Sequence, residues 1–310
     1  MNYRETLCGL RGLFFFVTLF AASGLIAALG QAQPRLQAQM AQIAAATQGP
    51  VGAAVVVVEG GRVVALHGEQ RFPMQSVYKL PIAMAVLHQV DLGKLSLTQP
   101  VRITKAELPL PPHYSAIRDD YPSGATLTVS KLLDEMVSNS DGTACDILLS
   151  FAGGPQKVTA YLRGLGIRNM VVATSEKTML QNERIEQYRN WATPNAMLNL
   201  LCLLQQGQGL SPQSRHLLLG LMTGSQTGPH RIKGLLPAGT VVAHKTGSSG
   251  TVSGLTRATN DAGLITLPDG RHLAVVVFVS DTRVSEATQE AVIAKIAHAA
   301  WNDRAALEHD

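Results

Sequence analysis

Residues 262–281 read AGLITLPDGRHLAVVVFVSD. Two apolar runs, LITL and HLAVVVFV, flank Pro268-Asp269-Gly270. β-Branched runs around a Pro/Asp/Gly turn predict a β-hairpin. Residues 51–66, VGAAVVVVEGGRVVAL, repeat that form around Gly60-Gly61 near the other end of the chain. A closing helix is predicted over SEATQEAVIAKIAHAAW (285–301), and another over PRLQAQMAQIAAATQ (34–48). Between residues 71 and 223, segments such as YKLPIAMAVLHQV, TVSKLLDEMV and NAMLNLLCLLQ carry helical apolar spacing, with no strong strand pattern among them. The expected fold is therefore α/β plus all-α. An antiparallel sheet flanked by helices is built from residues 31–70 and 224–310, and an all-helical domain, 71–223, is inserted between them.

The chain has 310 residues and is 46% hydrophobic, which is enough for one large core or two smaller ones and excludes a disordered chain. Its net charge of +4 is spread without a Lys/Arg run, so no nucleic-acid partner is expected. Arg4 and Arg11 precede an apolar stretch, Gly12–Leu29, followed by small residues. That is the order of a secretory signal peptide over residues 1–30, cut after Gly30 or Ala32. The expectation is a periplasmic monomer with no lasting membrane association. Cys145 and Cys202 lie in apolar helical contexts and read as buried free thiols.

The nine histidines form no close pair and no H-E-x-x-H. No G-x-S-x-G, phosphate loop or dinucleotide fingerprint occurs, so neither a metal nor a cofactor is expected. What remains is Ser76-Val77-Tyr78-Lys79, opening an apolar helical segment. Residues i and i+3 share a helix face, so the lysine amine can reach the serine hydroxyl and take its proton. The backbone N–H of a serine in a first helical turn is also free to meet an oxyanion. Ser140-Asp141-Gly142 follows a predicted helix, and Lys245-Thr246-Gly247 follows a strand-like run and precedes Ser248. A second hydroxyl beside a lysine can pass a proton to a leaving nitrogen, and an edge strand offers donors to an extended substrate.

In this order the three motifs resemble class A serine β-lactamases. More narrowly, FPMQSVYKL, SDGTACDILL, EQYRNWATP, HKTGSSG and ATNDAGLITLPDGRHL resemble the PER/VEB-type branch over essentially the whole mature chain. The resemblance implies an α/β domain and a helical domain with the site between them, a β-lactam as substrate, and hydrolysis through a serine acyl-enzyme. It makes Ser76 the nucleophile, Lys79 its proton partner, and Ser140 the proton donor to the lactam nitrogen. Lys245 supports Ser140 and the substrate carboxylate, beside Thr246 and Gly247. Backbone N–H groups of Ser76 and Ser248 form the oxyanion hole, Glu176 activates the deacylating water, and Arg231 binds the substrate carboxylate. A D-alanyl-D-alanine peptidase-like acyltransferase and a slowly deacylating β-lactam-binding protein share the three motifs and stand as alternatives.

Three positions depart from the family pattern. Gly142 replaces the asparagine that holds the substrate's acylamino group. Leu180 stands four residues after Glu176, where the family has a small or polar side chain near the water, with Gln181 as the other candidate. Thr174 replaces an arginine that pins the loop, so a differently braced loop is expected.

Overall fold

The computed structural model describes residues 35–110 and 114–307. The proposed signal peptide, residues 1–30, lies outside them. The hairpin that opened the sequence reading forms β10 (Leu255–Thr266) and β11 (His272–Thr282), with Gly270 at φ +86° in the turn. β1 (Val51–Val57) pairs antiparallel with the other edge of β11 and with β2 (Val64–Leu66), while β8 (Val242–Ser248) and β9 (Thr251–Val252) pair with β10. The main order is β2-β1-β11-β10-β8, which leaves β8 at one edge.

The unbroken valine run is explained by what covers β11. Val275, Val277 and Val279 face helix α1 (residues 35–44) and α11 (Glu286–Asn302), packing with Leu36, Met40, Ile293 and Ile296. Ala274, Val276 and Phe278 face the opposite side, with Phe72, Met84 and Leu200. Side chains alternate along a strand, so one buried on both faces loses its polar alternation. Ser285 caps α11 by accepting the Thr288 N–H.

The rest of the chain builds the second body. It comprises β3 (Phe72–Pro73), α2 (Lys79–Asp91), β4 (Pro100–Thr104), α3 (Ala116–Asp120), β5 (Gly124–Thr128), α4 (Val129–Val137), α5 (Gly142–Phe151) and α6 (Pro155–Gly164). Then follow β6 (Met170–Val171), α7 (Glu176–Gln181), α8 (Glu183–Glu186), β7 (Trp191–Ala192), α9 (Pro194–Gln205) and α10 (Pro212–Thr223). Helix α2 runs through its centre, buried without a break from Lys79 to Leu87, as expected of a helix that is apolar all round.

The apolar spacing predicts no strand here, whereas the described residues contain five. β4 and β5 pair as a two-stranded sheet, and β3-β7-β6 form another. These strands are two to five residues long. That is too short for a period of two to stand out, and no tight turn joins any pair.

Candidate active site

A 3-10 turn, Gln75–Tyr78, enters α2 and carries Ser76. Both bodies fix the chain just before it. Asn260 of β10 donates from Nδ2 to the carbonyls of Pro73 (2.8 Å) and Met74 (3.0 Å), and Met74 N–H donates to the Asn190 carbonyl. Gln75 holds φ +46° and donates to Gln187 Oε1. The Ser76 N–H falls in the first turn, where backbone donors lack an intrahelical acceptor.

Lys79 is 2% exposed, and its Nζ lies 3.0 Å from Ser76 Oγ, 2.7 Å from the Ser140 carbonyl and 2.9 Å from Glu176 Oε1. Burial alone would lower its pKa. The adjacent Glu176 carboxylate more than offsets that and holds it above the usual lysine value. Lys245 also lies fully buried, with Nζ 3.0 Å from Ser140 Oγ and 3.1 Å from the Thr246 carbonyl. Burial, with Lys79 nearby, pushes its pKa down to about 7. The two lysines thus differ because only Lys79 has a carboxylate in contact. Ser140 sits at φ +63°, an uncommon conformation for a non-glycine residue. Asp141 holds it there: its buried carboxylate caps α5 at Ala144 N–H and accepts from Ser115 Oγ and Ile117 N–H.

β8 presents its open edge to this group. Ser249 N–H donates to the Ala258 carbonyl, and Ser248 lies opposite Thr259. Ser248 therefore occupies a non-hydrogen-bonded position of the ladder, and its own N–H points off the edge. Gly247 is needed where it stands, since a Cβ there would lie 2.5 Å from the Met74 carbonyl oxygen and 3.1 Å from Ser76 N. β8 thus approaches the 3-10 turn that carries Ser76 closely at Gly247. Thr246 Oγ1 is 2.6 Å from Thr227 Oγ1.

Arg231 lies just before a short 3-10 turn, Ile232–Leu235, and lines the cleft. It is 4% exposed, beneath the edge of β8. Nε donates to Glu290 of α11 (3.0 Å), Nη1 to the carbonyls of Gly247 (3.2 Å) and Asn260 (3.0 Å), and Nη2 to Ser248 Oγ (2.7 Å). A guanidinium has five N–H donors. Among the described residues only one Nη2 hydrogen is left for a substrate, so Arg231 does not offer an open two-pronged fork. Asp261 accepts from Ile232 N–H and stands 2.9 Å from the buried His244 Nδ1, fastening the turn that carries Arg231.

The loop bearing Glu176 is braced by amides and a carboxylate. Asn190 Oδ1 accepts from Ala173 and Thr174 N–H, and its Nδ2 donates to the Thr174 carbonyl. Asp146 of α5 accepts from Glu176 N–H (2.7 Å) and Lys177 N–H (2.8 Å). Thr174 carries no charge, and its buried Oγ1 finds no hydrogen-bond partner among the described residues. The Tyr188 hydroxyl donates to Asp281 at the end of β11, tying the same loop to the sheet. α7 is continuous from Glu176 to Gln181, so Leu180, four residues on, shares the Glu176 face. Gln181 is rotated away from that face. Gly142 begins α5, and a Cβ there would meet Glu176 Cγ at 3.6 Å, an ordinary contact. Cys145 and Cys202 are free, and Cys145 Sγ lies 3.3 Å from the buried Tyr78 hydroxyl.

Residues 35–303 match the Beta-lactamase enzyme family. The chain belongs to that family. It is 42% identical to extended-spectrum beta-lactamase PER-1 of Pseudomonas aeruginosa, over 86% of this chain and 87% of the relative. Beta-lactamase VEB-1 of the same organism is 41% identical over 76% of this chain and 79% of the relative. The crystal structure of a beta-lactamase from Chitinophaga pinensis matches with TM-score 0.85 and 49% identity, over 87% of this chain and 99% of that one. A class A beta-lactamase from Bacteroides cellulosilyticus matches with TM-score 0.80 and 30% identity, over 87% and 98%. The chain thus has the class A β-lactamase fold. Its cleft, about 1390 Å³, is lined by Ser76, Lys79, Ser140, Glu176, Arg231 and Ser248 among others. Sequence reasoning missed the supports of this lactamase site: Asp141, Asp146, Asn190, Asn260 and Glu290. Asp141 alone carried a signal, an Asp directly before a helix.

Proposed function

We propose that the protein hydrolyses β-lactams through an acyl-enzyme on Ser76. The observation that carries this reading is the position of Lys79 Nζ within 3.0 Å of both Ser76 Oγ and Glu176 Oε1. A lysine held as an ammonium donates and cannot accept. Lys79 and Glu176 therefore act together: the ammonium passes a proton to the carboxylate and takes the one leaving Ser76 Oγ. Ser76 Oγ attacks the lactam carbonyl, whose oxygen is met by the Ser76 and Ser248 N–H groups. The C–N bond breaks as the Ser140 hydroxyl gives its proton to the nitrogen, and Lys245 resupplies Ser140 across 3.0 Å. Before release Glu176 gives up the proton it took and Lys245 regains one, both by exchange with solvent, so Glu176 is again a carboxylate. It then takes a proton from a water that attacks the ester. That proton passes through Lys79 to Ser76 Oγ as the ester C–O bond breaks. Lys245, Thr246, the Ser248 hydroxyl and the remaining Nη2 hydrogen of Arg231 receive the substrate carboxylate. The names of PER-1, an extended-spectrum beta-lactamase, and of VEB-1, a beta-lactamase, support β-lactams as the substrate class. Within it we assign penicillins and cephalosporins, with resistance to them as the biological role. We place the mature protein in the periplasm as a monomer, exported by residues 1–30.

Leu180 and Gly142 favour a second reading, in which acylation outpaces release, because each removes a polar side chain next to the water or the substrate. Mass spectrometry over seconds to hours after adding a cephalosporin, with lactam absorbance followed in parallel, separates the two. A transient adduct on Ser76 with continuing substrate loss is expected, and Glu176→Gln should turn it into a lasting one. One equivalent consumed with a permanent wild-type adduct would establish the second reading, and no adduct would refute both.

A further inference from the structure

Two buried titratable side chains behind the site take no part in the chemistry at Ser76. His244 and Asp261 are both 0% exposed. They stand on adjacent strands, β8 and β10, where His244 lies opposite Gly263 and Asp261 opposite Thr246. A Cβ at Gly263 would come within 2.6 Å of the His244 Cβ, so the glycine leaves the imidazole its place. His244 Nδ1 is 2.9 Å from each Asp261 oxygen, and Asp261 Oδ2 also accepts from Ile232 N–H at 3.1 Å. A carboxylate only accepts, so Nδ1 carries the proton. Nε2 is buried with no hydrogen-bond partner among the described residues, and a second proton there would be a buried donor without an acceptor. The imidazole is therefore neutral. It orients Asp261 without cancelling its charge.

Successive residues of a strand point to opposite faces, so the pair lies across the sheet from the Lys245 side chain. The charged and titratable groups around Lys245 sort themselves. Lys79 of α2 contacts Glu176 of α7 at 2.9 Å. Arg231 contacts Glu290 of α11 at 3.0 Å. Burial pushes the Cys145 thiol of α5 up, so it is neutral. Lys245 and Asp261 are left, one cation and one carboxylate, neither with a charged partner in contact among the described residues. The Asp261 charge acts on Lys245 in favour of the ammonium, against burial and Lys79.

We propose that Asp261, latched by His244, is a positioning residue for the carboxylate-receiving end of the site: its charge is the buried counter-charge of the Lys245 ammonium, and the same carboxylate holds the turn that carries Arg231. The inference deepens the lactamase reading and rests on it for the role of Lys245. Fully buried behind β8, Asp261 acts through Lys245 and Arg231 and touches no substrate.

The test compares two variants. Asp261→Asn keeps the shape and removes the charge. His244→Asn puts an amide N–H where Nδ1–H stands and leaves Asp261 charged. The readouts are the pH profile of kcat/KM for a penicillin and the titration of the Lys245 side chain, followed by NMR of carbon-labelled lysine and assigned by the signal lost in Lys245→Met. Asp261→Asn should move both midpoints down by about half a pH unit or more, and His244→Asn should leave both within about 0.2 unit of wild type. The double variant, His244→Asp with Asp261→Asn, returns a carboxylate to the pair and should restore the wild-type midpoint. It carries the test if Asp261→Asn alone does not fold. An unmoved midpoint in folded Asp261→Asn, equal shifts in the two single variants, or a double variant away from the wild-type midpoint would each overturn the counter-charge. The NMR titration needs no turnover. Wild-type protein that opens no β-lactam would sink the hydrolytic reading, and the NMR midpoints would still judge Asp261.

Discussion

The Arg231–Glu290 pair yields a quantitative expectation. Arg231 is 4% exposed and Glu290 15% exposed, and the 3.0 Å contact between them is the short ion pair of the guanidinium. Glu286 stands 3.9 Å away and is mostly solvated. Glu290→Ala leaves a buried cation with carbonyls and one hydroxyl as its acceptors. Removing one partner of a buried pair costs about 3–5 kcal/mol. For a chain of this size each kcal/mol lowers Tm by roughly 2–4 °C, so a fall of about 6–20 °C is expected. Glu290→Gln keeps a hydrogen-bond acceptor and should recover a large part of that fall.

A kinetic consequence separates support from simple stability. Arg231 Nη2 donates to Ser248 Oγ at 2.7 Å, and both stand where we propose that the substrate carboxylate is received. In Glu290→Gln an unneutralised Arg231 attracts that carboxylate more strongly but is less firmly held. KM should change by several-fold while kcat stays within twofold, and the change should vanish for a substrate whose carboxylate is esterified. Thermal denaturation and steady-state kinetics on the acid and ester pair check both halves. Equal effects on acid and ester would refute the placement of Arg231 behind the carboxylate site. An unchanged Tm in Glu290→Ala would refute the cost assigned to the pair.

Further outcomes follow from the same geometry. Leu180→Asn puts a polar group on the Glu176 face of α7, and one hydrogen bond of about 1 kcal/mol to the water should speed deacylation several-fold in single-turnover measurements. Lys245, with its pKa pushed down to about 7 by burial and by Lys79, loses its ammonium as pH rises through that value, so kcat/KM for anionic substrates should fall above about pH 7. A lysine pKa lowered by folding means that the unfolded chain binds the extra proton. This group's contribution to stability therefore increases from about pH 7 towards the ordinary lysine range, and Lys245→Met should flatten that limb in pH-dependent melting curves. Tyr188→Phe removes the tie between the Glu176 loop and Asp281, and should slow deacylation more than acylation, as read from a larger steady-state fraction of acylated Ser76.

The valine runs, the hairpin turns and the S-x-x-K helix start were legible because each is local. A turn needs its Pro, Asp or Gly in place, and a face of α2 or β11 needs its period over a full element. The two small sheets were not legible, since Phe72 meets Ala192 and Pro100 meets Thr128 across long stretches of chain. The reacting side chains could be named by motif order and resemblance, but their supports could not. Asn190 and Asn260 look like ordinary polar residues in sequence. Their roles arise when Asn190 closes the loop at Thr174 and Asn260 grips the carbonyls before Ser76. Arg231 shows the opposite limit. Its segment was identified, but the number of its donors already engaged depends on Glu290, 59 residues away.

The three departures from the family pattern meet at one place. Thr174 removes a charged pin, and Asn190 with Asp146 replaces it by hydrogen bonds to backbone N–H groups. That bracing fixes the start of α7, and with it Glu176, while Leu180 on the following turn has a side chain that can make no hydrogen bond. Gly142 lies opposite, 3.6 Å from Glu176 Cγ at the nearest point a Cβ would reach. The carboxylate is therefore held by its backbone and by Lys79 rather than by side chains around it. Space beside it is left open to the substrate, at the cost of a polar contact to the water. If that exchange is what the site embodies, Gly142→Asn and Leu180→Asn should act in opposition. The first should narrow acceptance of long side chains, and the second should raise turnover of whatever still enters. In the double variant both changes should appear together, a smaller range of substrates turned over faster. A double variant that is slower than wild type on the shortest substrate would show that the open space beside Glu176 serves hydrolysis itself.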